Sequence, residues 1–283
     1  MFNKIVVGYD GSASSQDAVR LAALLTKTAD ARVTAVCVHG PARTTRINAR
    51  TGEFEGPAAD AERTLELLHD RVGEAVQCRS VPGLTVAHAL RDVATEEDAD
   101  LIVVGSTARA RLSSTLAGST ADQLLQDSSR PVVVVPAGFA AGAVSKVGVA
   151  YVQDADDNAV LATAHRIAAD ARAWLRVITV LDSASGTDTE PTEQRDATMQ
   201  RLERAAARLG GSVRVECTVL EGTPVDALRA QTAGLDLLVM GSRGFGPLRR
   251  VVLGSVSHGV LLHASCPVLI LPRGAAVIHS AAA

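Results

Sequence analysis

The residues best placed to do chemistry form a glycine pattern rather than a cluster of reactive side chains. Residues 241–255 read GSRGFGPLRRVVLGS, which puts Gly241, Gly244 and Gly254-Ser255 in the spacing G-x2-G-x9-G-S, directly after the apolar run 235–240. A strand that ends in closely set glycines, followed by a Gly-Ser that opens a helix, presents a cradle of backbone N–H groups. Such a cradle suits phosphate, because glycine lets the main chain approach the anion and a helix N-terminus offers unpaired donors. A near-copy lies 136 residues earlier, where residues 105–119 read GSTARARLSSTLAGS. It keeps Gly105, Gly118 and Ser119 but carries Ala108 in place of the second glycine.

Other constellations are weaker. Ser257 and His258 resemble a nucleophile and its base, yet adjacent helix residues point about 100° apart and cannot pair. The G-x-S-x-G elbow is absent around them, as are a GK[ST] loop and G-x-G-x-x-G, so hydrolase, P-loop and dinucleotide readings fall. Arg243, Arg249 and Arg250 in the second loop, and Arg109 and Arg111 in the first, are either phosphate partners or a solvated loop face. Asp156-Asp157 hints at a phospho-accepting receiver domain. That fold also needs an Asp after the third strand and a Lys after the fifth, where this chain reads EGTP and PRG.

The elements that position these loops occur twice. DADLIVVGS at 98–106 matches GLDLLVMGS at 234–242, and RPVVVVP at 130–136 matches CPVLILP at 266–272, both at an offset of 136. VQCRSVPG at 76–83 matches VECTVLEG at 215–222, and KIVVGYD at 4–10 matches KVGVAYV at 146–152. The surplus residues of the first half are expected in the Gly-, Pro-, Thr- and Arg-rich connection 40–60. A repeat this long is a duplicated domain, not a solenoid unit of roughly 20–50 residues. The expected division is 1–137, a linker at 138–144, 145–273, and a tail at 274–283.

Each half alternates short β-branched runs with helical stretches. The first has strands near 5–8, 33–38, 75–81, 101–104 and 132–135, with helices near 15–29, 60–72 and 86–97. The second has strands near 147–152, 175–181, 213–220, 237–240 and 268–271. Nearly continuous apolar strands between helices predict α/β domains, each a doubly wound five-stranded parallel sheet of Rossmann-like type. In such sheets ligands bind outside the carboxyl ends of the strands, where the winding reverses. If the first and fourth strands are neighbours there, Asp10 and Gly105 line one crevice. Asp10 is then a partner for ribose hydroxyls or an adenine amine; the competing role is a helix cap.

Composition narrows the class. The net charge is −3 and aromatics are only 2% of the residues, which argues against nucleic acid, whose binders want basic surfaces and stacking rings. Cys37, Cys78 and Cys217 fall in predicted strands and Cys266 precedes one, so buried reduced thiols are expected rather than disulfides. No CxxC or HExxH spacing marks a metal. Residues 131–152 carry a single charge, but Pro136, Gly138, Gly142 and Gly148 break them as a membrane span. The N-terminus enters a strand at once, with no signal peptide, so a cytoplasmic location is expected.

The duplicated motif, the early Asp and the closing P-V-x-x-x-P strand resemble tandem universal stress proteins, over residues 1–136 and 144–273. In ATP-binding members of that family the motif glycines and Ser/Thr hold ribose and phosphates. The early Asp sits by the nucleoside, and backbone at the end of the second strand reads the adenine. The resemblance therefore implies ATP contacts at Asp10, Val38, Gly105, Ala108, Gly118, Ser119 and Thr120 in the first domain. In the second it implies Val180, Gly241, Arg243, Gly244, Gly254, Ser255, Val256 and Ser257. Mg2+ enters only through the ATP phosphates, with no metal ligand from the protein.

Two departures stand out. Asp10 aligns with Val152 in the second half, whereas Ala108 replaces a motif glycine in the first. If that glycine serves only a left-handed backbone, Ala costs about 1–2 kcal/mol, about five- to thirtyfold in affinity. If phosphate passes where a Cβ would be, Ala108 excludes the nucleotide. The resulting expectation is a non-enzymatic, ATP-binding stress-response regulator that responds to nucleotide by a change of conformation or of partner. The alternatives are a slow Mg-dependent ATPase or phosphotransferase, and a nucleotide-independent dimerisation module. Expected partners are an adenine nucleotide, a regulatory protein, and either a second copy or the chain's own other half through the fifth strands; neither nucleic acid nor a membrane is expected.

Overall fold

A computed structural model describes residues 2–26, 31–40, 46–47, 54–106, 120–139, 142–152, 155–182, 191–211, 213–242 and 254–272. The first half runs β1 (Lys4–Gly8), α1 (Ala13–Leu25), β2 (Arg32–His39), β3 (Arg46–Ile47), β4 (Phe54–Glu55), α2 (Pro57–Val72), β5 (Gln77–Pro82), α3 (Val86–Glu96), β6 (Leu101–Gly105), α4 (Thr120–Asp127) and β7 (Val132–Val135). The second runs β8 (Lys146–Ala150), α5 (Ala155–Ala171), β9 (Trp174–Leu181), α6 (Pro191–Ala207), β10 (Val215–Glu221), α7 (Pro224–Thr232), β11 (Leu237–Gly241), α8 (Ser255–His263) and β12 (Val268–Leu271). The connection expected as irregular at 40–60 contains the short antiparallel pair β3–β4.

Both halves wind outward from their first strand and then reverse. The sheet order is β10-β9-β8-β11-β12-β7-β6-β1-β2-β5, so β1 lies between β2 and β6, and β8 between β9 and β11. Every pair in this sheet is parallel except β7 with β12, which run antiparallel with Leu269 opposite Val133. Residues 132–135 and 268–271, the fifth strands expected to pair with a second copy or with the chain's own other half, meet each other and lie inside the sheet, and β5 and β10 are the outer strands. The antiparallel seam also fixes direction: the carboxyl ends of the two halves' strands point to opposite edges of the sheet.

Alternation along the strands supplies both layers of core. Ile5 and Val7 face one side, with Leu21 of α1, Leu65 of α2, Ile167 of α5 and Leu202 of α6. Val6 faces the other, with Leu90 of α3, Leu124 of α4, Leu228 of α7 and Leu261 of α8. Strands covered by helices on both faces become the unbroken apolar runs seen in the sequence.

The start of each first strand is held by an equivalent carboxylate. Asp100 Oδ2 accepts from the amides of Asn3 and Lys4 at 2.7 and 3.0 Å. Asp236 Oδ2 accepts from the amides of Ser145 and Lys146 at 2.9 and 2.8 Å, and from the Ser145 hydroxyl at 2.8 Å. These contacts set the register of the first strand against the fourth at the strand pair that forms the crevice.

All four cysteines are free. The expectation of uniformly buried thiols is corrected at Cys78, which is exposed because β5 is an outer strand, and at half-buried Cys217 on β10. Cys266 is fully covered, and burial pushes its thiol up to about 12. Two outcomes are expected. A thiol reagent at neutral pH modifies Cys78 first and Cys266 only on unfolding, checked by peptide mass mapping. Asp236→Ala lowers stability by about 1.5–3 kcal/mol, the worth of hydrogen bonds to a charged group, checked by the urea midpoint.

Candidate functional site

The crevice in the first half is built by three consecutive local choices. β1 ends at Gly8, and Tyr9 continues the ladder by donating its amide to the Val36 carbonyl at 2.9 Å. Gly11 then takes φ +78°, a turn glycine tolerates without cost. Ser12 caps α1, its hydroxyl accepting from the Ser15 amide at 3.2 Å. Asp10 sits inside this turn, its Oδ1 accepting from the Ser12 amide at 3.0 Å. Asp10 therefore braces the turn that leads into α1, whose cap is Ser12, and it is also exposed to the crevice. Desolvation pushes its carboxyl up, but hydrogen bonds from the hydroxyl and amide of Ser12 and from Ser15 outweigh this, and the net displacement is downward.

Across from it, β6 pairs with β1 in register, Ile5 opposite Leu101 and Val7 opposite Val103. Gly105 at the end of β6 consequently faces the first turn of α1. A Cβ there would lie 2.6 Å from the Ser14 carbonyl carbon and 2.7 Å from its oxygen. The first glycine of the motif is thus required by helix–strand packing, before any ligand is considered.

A cavity opens between these parts. Gly8, Val36, Val38, Val86, Leu90 and Val104 give it an apolar wall, while Asp10, Ser12, Ser14, Ser15, Ser106 and Thr120 give it a polar one. The structure brings together Asp10, Val38, Gly105 and Thr120 of the first-domain expectation; Ala108, Gly118 and Ser119 lie outside the described residues. The serines were not singled out from sequence, although SASS at 12–15, immediately after Asp10-Gly11, was the available signal. The amino ends of α1 and α4 both border the cavity, through Ser12, Ser14 and Ser15 on one side and Thr120 and Ala121 on the other.

The second half repeats the frame with different side chains. Tyr151 donates its amide to the Ile178 carbonyl at 2.8 Å, as Tyr9 does to Val36, which places Val152 at the position of Asp10. Val152 is 57% exposed, a large apolar side chain left at the mouth of the strand pair. Gly241 ends β11, and Gly254 caps α8 without any side-chain hydrogen bond or first-turn acid. Ser255 is exposed, Val256 and Val180 are half-buried, and Ser257 is buried. The Ser257 hydroxyl donates to the Gly241 carbonyl at 3.1 Å, so it ties α8 to the strand tip. The Ser242 hydroxyl beside it is buried with no partner. Arg243 and Gly244 lie outside the described residues.

Nothing among the described residues gathers three or more metal-ligating side chains, and no described helix is long and apolar enough to cross a membrane.

Comparison with known proteins agrees with this architecture. The universal stress protein family model matches twice, over residues 1–136 and 144–272, and the chain belongs to that family. It is 29% identical to a universal stress protein of Mycolicibacterium smegmatis, over 95% of this chain and 97% of the relative. It is 28% identical to universal stress protein Rv2319c of Mycobacterium tuberculosis, over 95% and 99%. A universal stress protein structure from Archaeoglobus fulgidus superposes with a TM-score of 0.68 at 21% identity, covering 96% of this chain and 97% of that one.

Gly105→Ala is expected to cost about 1–3 kcal/mol, the usual range for overpacking, because the atoms it meets are backbone and cannot rotate away. Gly40→Ala, with open space around the added methyl, serves as the neutral comparison. Urea midpoints of the two variants decide it.

Proposed function

We propose that this chain is an ATP-binding stress-response regulator in which the nucleotide acts as a ligand. The observation that carries the reading is the first-half cavity, where an apolar wall, a row of hydroxyls and two helix amino ends meet at the winding reversal. Val36, Val38, Val86 and Leu90 suit a base, and Asp10 suits ribose hydroxyls. Thr120 and the first turn of α4 suit phosphate. Bound ATP supplies the polyanionic tail and, through its phosphates, a place for Mg2+; the chain's own residues bind and orient it. Asp10, its carboxyl held below the ordinary carboxylate range by hydrogen bonds from Ser12 and Ser15, is ionised at neutral and mildly acidic pH, so a loss of nucleotide affinity on mild acidification is expected to come from protonation of the phosphates and not of Asp10.

The second half supports the same reading differently. It offers the open amino end of α8 and the full glycine spacing, but Val152 in place of a carboxylate. The first site is therefore the stronger for the nucleoside and the second for the phosphates. Regulation rather than turnover follows from the loops, since 105–119 and 241–255 contain no Asp, Glu or His to serve as base or metal ligand. Pairing of the fifth strands within one chain, supported by the β7–β12 seam, leaves no such edge for a second copy.

Calorimetric titration of ATP into the full chain tests this. Saturable binding is expected, with Asp10→Asn weakening the first-half site about ten- to hundredfold, the range for losing a charged hydrogen-bond partner. Absence of binding at millimolar ATP, or turnover near one per second with Mg2+, would contradict it.

A further inference from the structure

A second cleft, of about 480 Å3, lies at the amino ends of β8, β9 and β10 and is lined by Ala168, Ala169, Arg172, Trp174, Val213 and Arg214. Because the seam reverses the second half, this is the sheet edge at which the first-half strands finish, and it is the end remote from the second half's own glycine loop.

Strand register assembles the cleft. Lys146 opens β8 opposite Trp174, and Leu175 is opposite Val215, so Arg214 lies beside Trp174 on its other flank. The result is a row of cation, indole and cation: Lys146 Nζ is 5.4 Å and the Arg214 guanidinium 5.2 Å from the Trp174 ring centre. The third cation is Arg172. It holds φ at +55°, the left-handed position after a helix that glycine normally fills. The carbonyls at this end of α5 are already used, Ala168 accepting from the Ala173 amide and Ala169 from the Arg172 amide.

Neighbouring Arg166 and Arg176 are each in an ion pair, with Asp170 and Glu216. Among the described residues, Lys146, Arg172 and Arg214 make none. Asp236 is the near carboxylate, and it is engaged by the amides of Ser145 and Lys146. The equivalent row in the first half reads Lys4, Arg32 and Ala75, with neither the indole nor the outer cation. The cluster is thus a property of the second half and not of the repeated fold.

We propose that this cleft is a second anion site, taking a small dianion or polyanion of the pyrophosphate or phosphate-ester class on Arg172 and Arg214 beside Trp174, with Lys146 on the far flank of the ring adding positive charge. Two guanidiniums, with no carboxylate among the described lining residues, match a ligand carrying two negative charges. The low aromatic content and net negative charge of the chain favour a small molecule over a nucleic acid strand.

Trp174 is the chain's single tryptophan, so its fluorescence reports on this cleft and not on the ATP cavity. Pyrophosphate titrated at constant ionic strength, set with sodium chloride, is expected to give a saturable change. Arg172→Gly and Arg214→Gln should each weaken it about tenfold. Arg172→Gly relaxes a left-handed residue, so its melting temperature should hold or rise, which separates a ligand role from a structural one. Calorimetry on the wild type and both variants gives a second readout. A change that only tracks ionic strength, or affinities that both variants leave unaltered, would overturn the proposal whether or not ATP binds elsewhere.

Discussion

The site depends on one packing constraint: the first and fourth strands of each half must lie side by side with the following helix pressed against the fourth strand's tip. In the first half this closeness leaves no room for a side chain at Gly105 against the backbone of Ser14. The Asp100 carboxylate holds the other end of the same strand pair by gripping two amides of the entering chain. With both ends fixed, the helices diverge to opposite faces and a crevice opens between them. The crevice is a consequence of winding; only its lining is a choice of side chain.

That distinction explains how two halves with one frame come to differ. The frame repeats in detail, down to the Tyr9 and Tyr151 amides and the paired carboxylates Asp100 and Asp236. The lining does not: Asp10 gives way to exposed Val152, and Thr120 to Val256. At the opposite strand ends the difference runs the other way, with Trp174 and its cations facing a plainer first half. Duplication preserved backbone geometry, and the surface chemistry of the two halves diverged on it.

Much of this was legible in the sequence because burial on both faces writes itself as unbroken runs such as IVV and LIVV, and because the repeat doubled every signal. Asp10, Gly105 and the alignment of Asp10 with Val152 could be placed from those runs alone. Three things could not. Whether residues 132–135 and 268–271 end in solvent or meet each other is a long-range matter that four valines cannot state. The exposure of Cys78 follows from the strand order of the first half, which puts β5 outermost. The row Lys146, Trp174 and Arg214 is scattered over some seventy positions and becomes a group only through parallel register.

The central claim is that main-chain amides at the starts of α4 and α8, past the Ser106 and Ser242 amides that donate to the carbonyls of Val135 and Leu271, hold the anionic tail of an adenine nucleotide. Residue-resolved amide hydrogen exchange, with and without saturating ATP, addresses it directly. The account predicts slowed exchange at the first turn of α4 and at the first turn of α8, with the outer strands β5 and β10 unchanged. Exchange unaltered at those helix starts, or protection appearing only elsewhere, would contradict it.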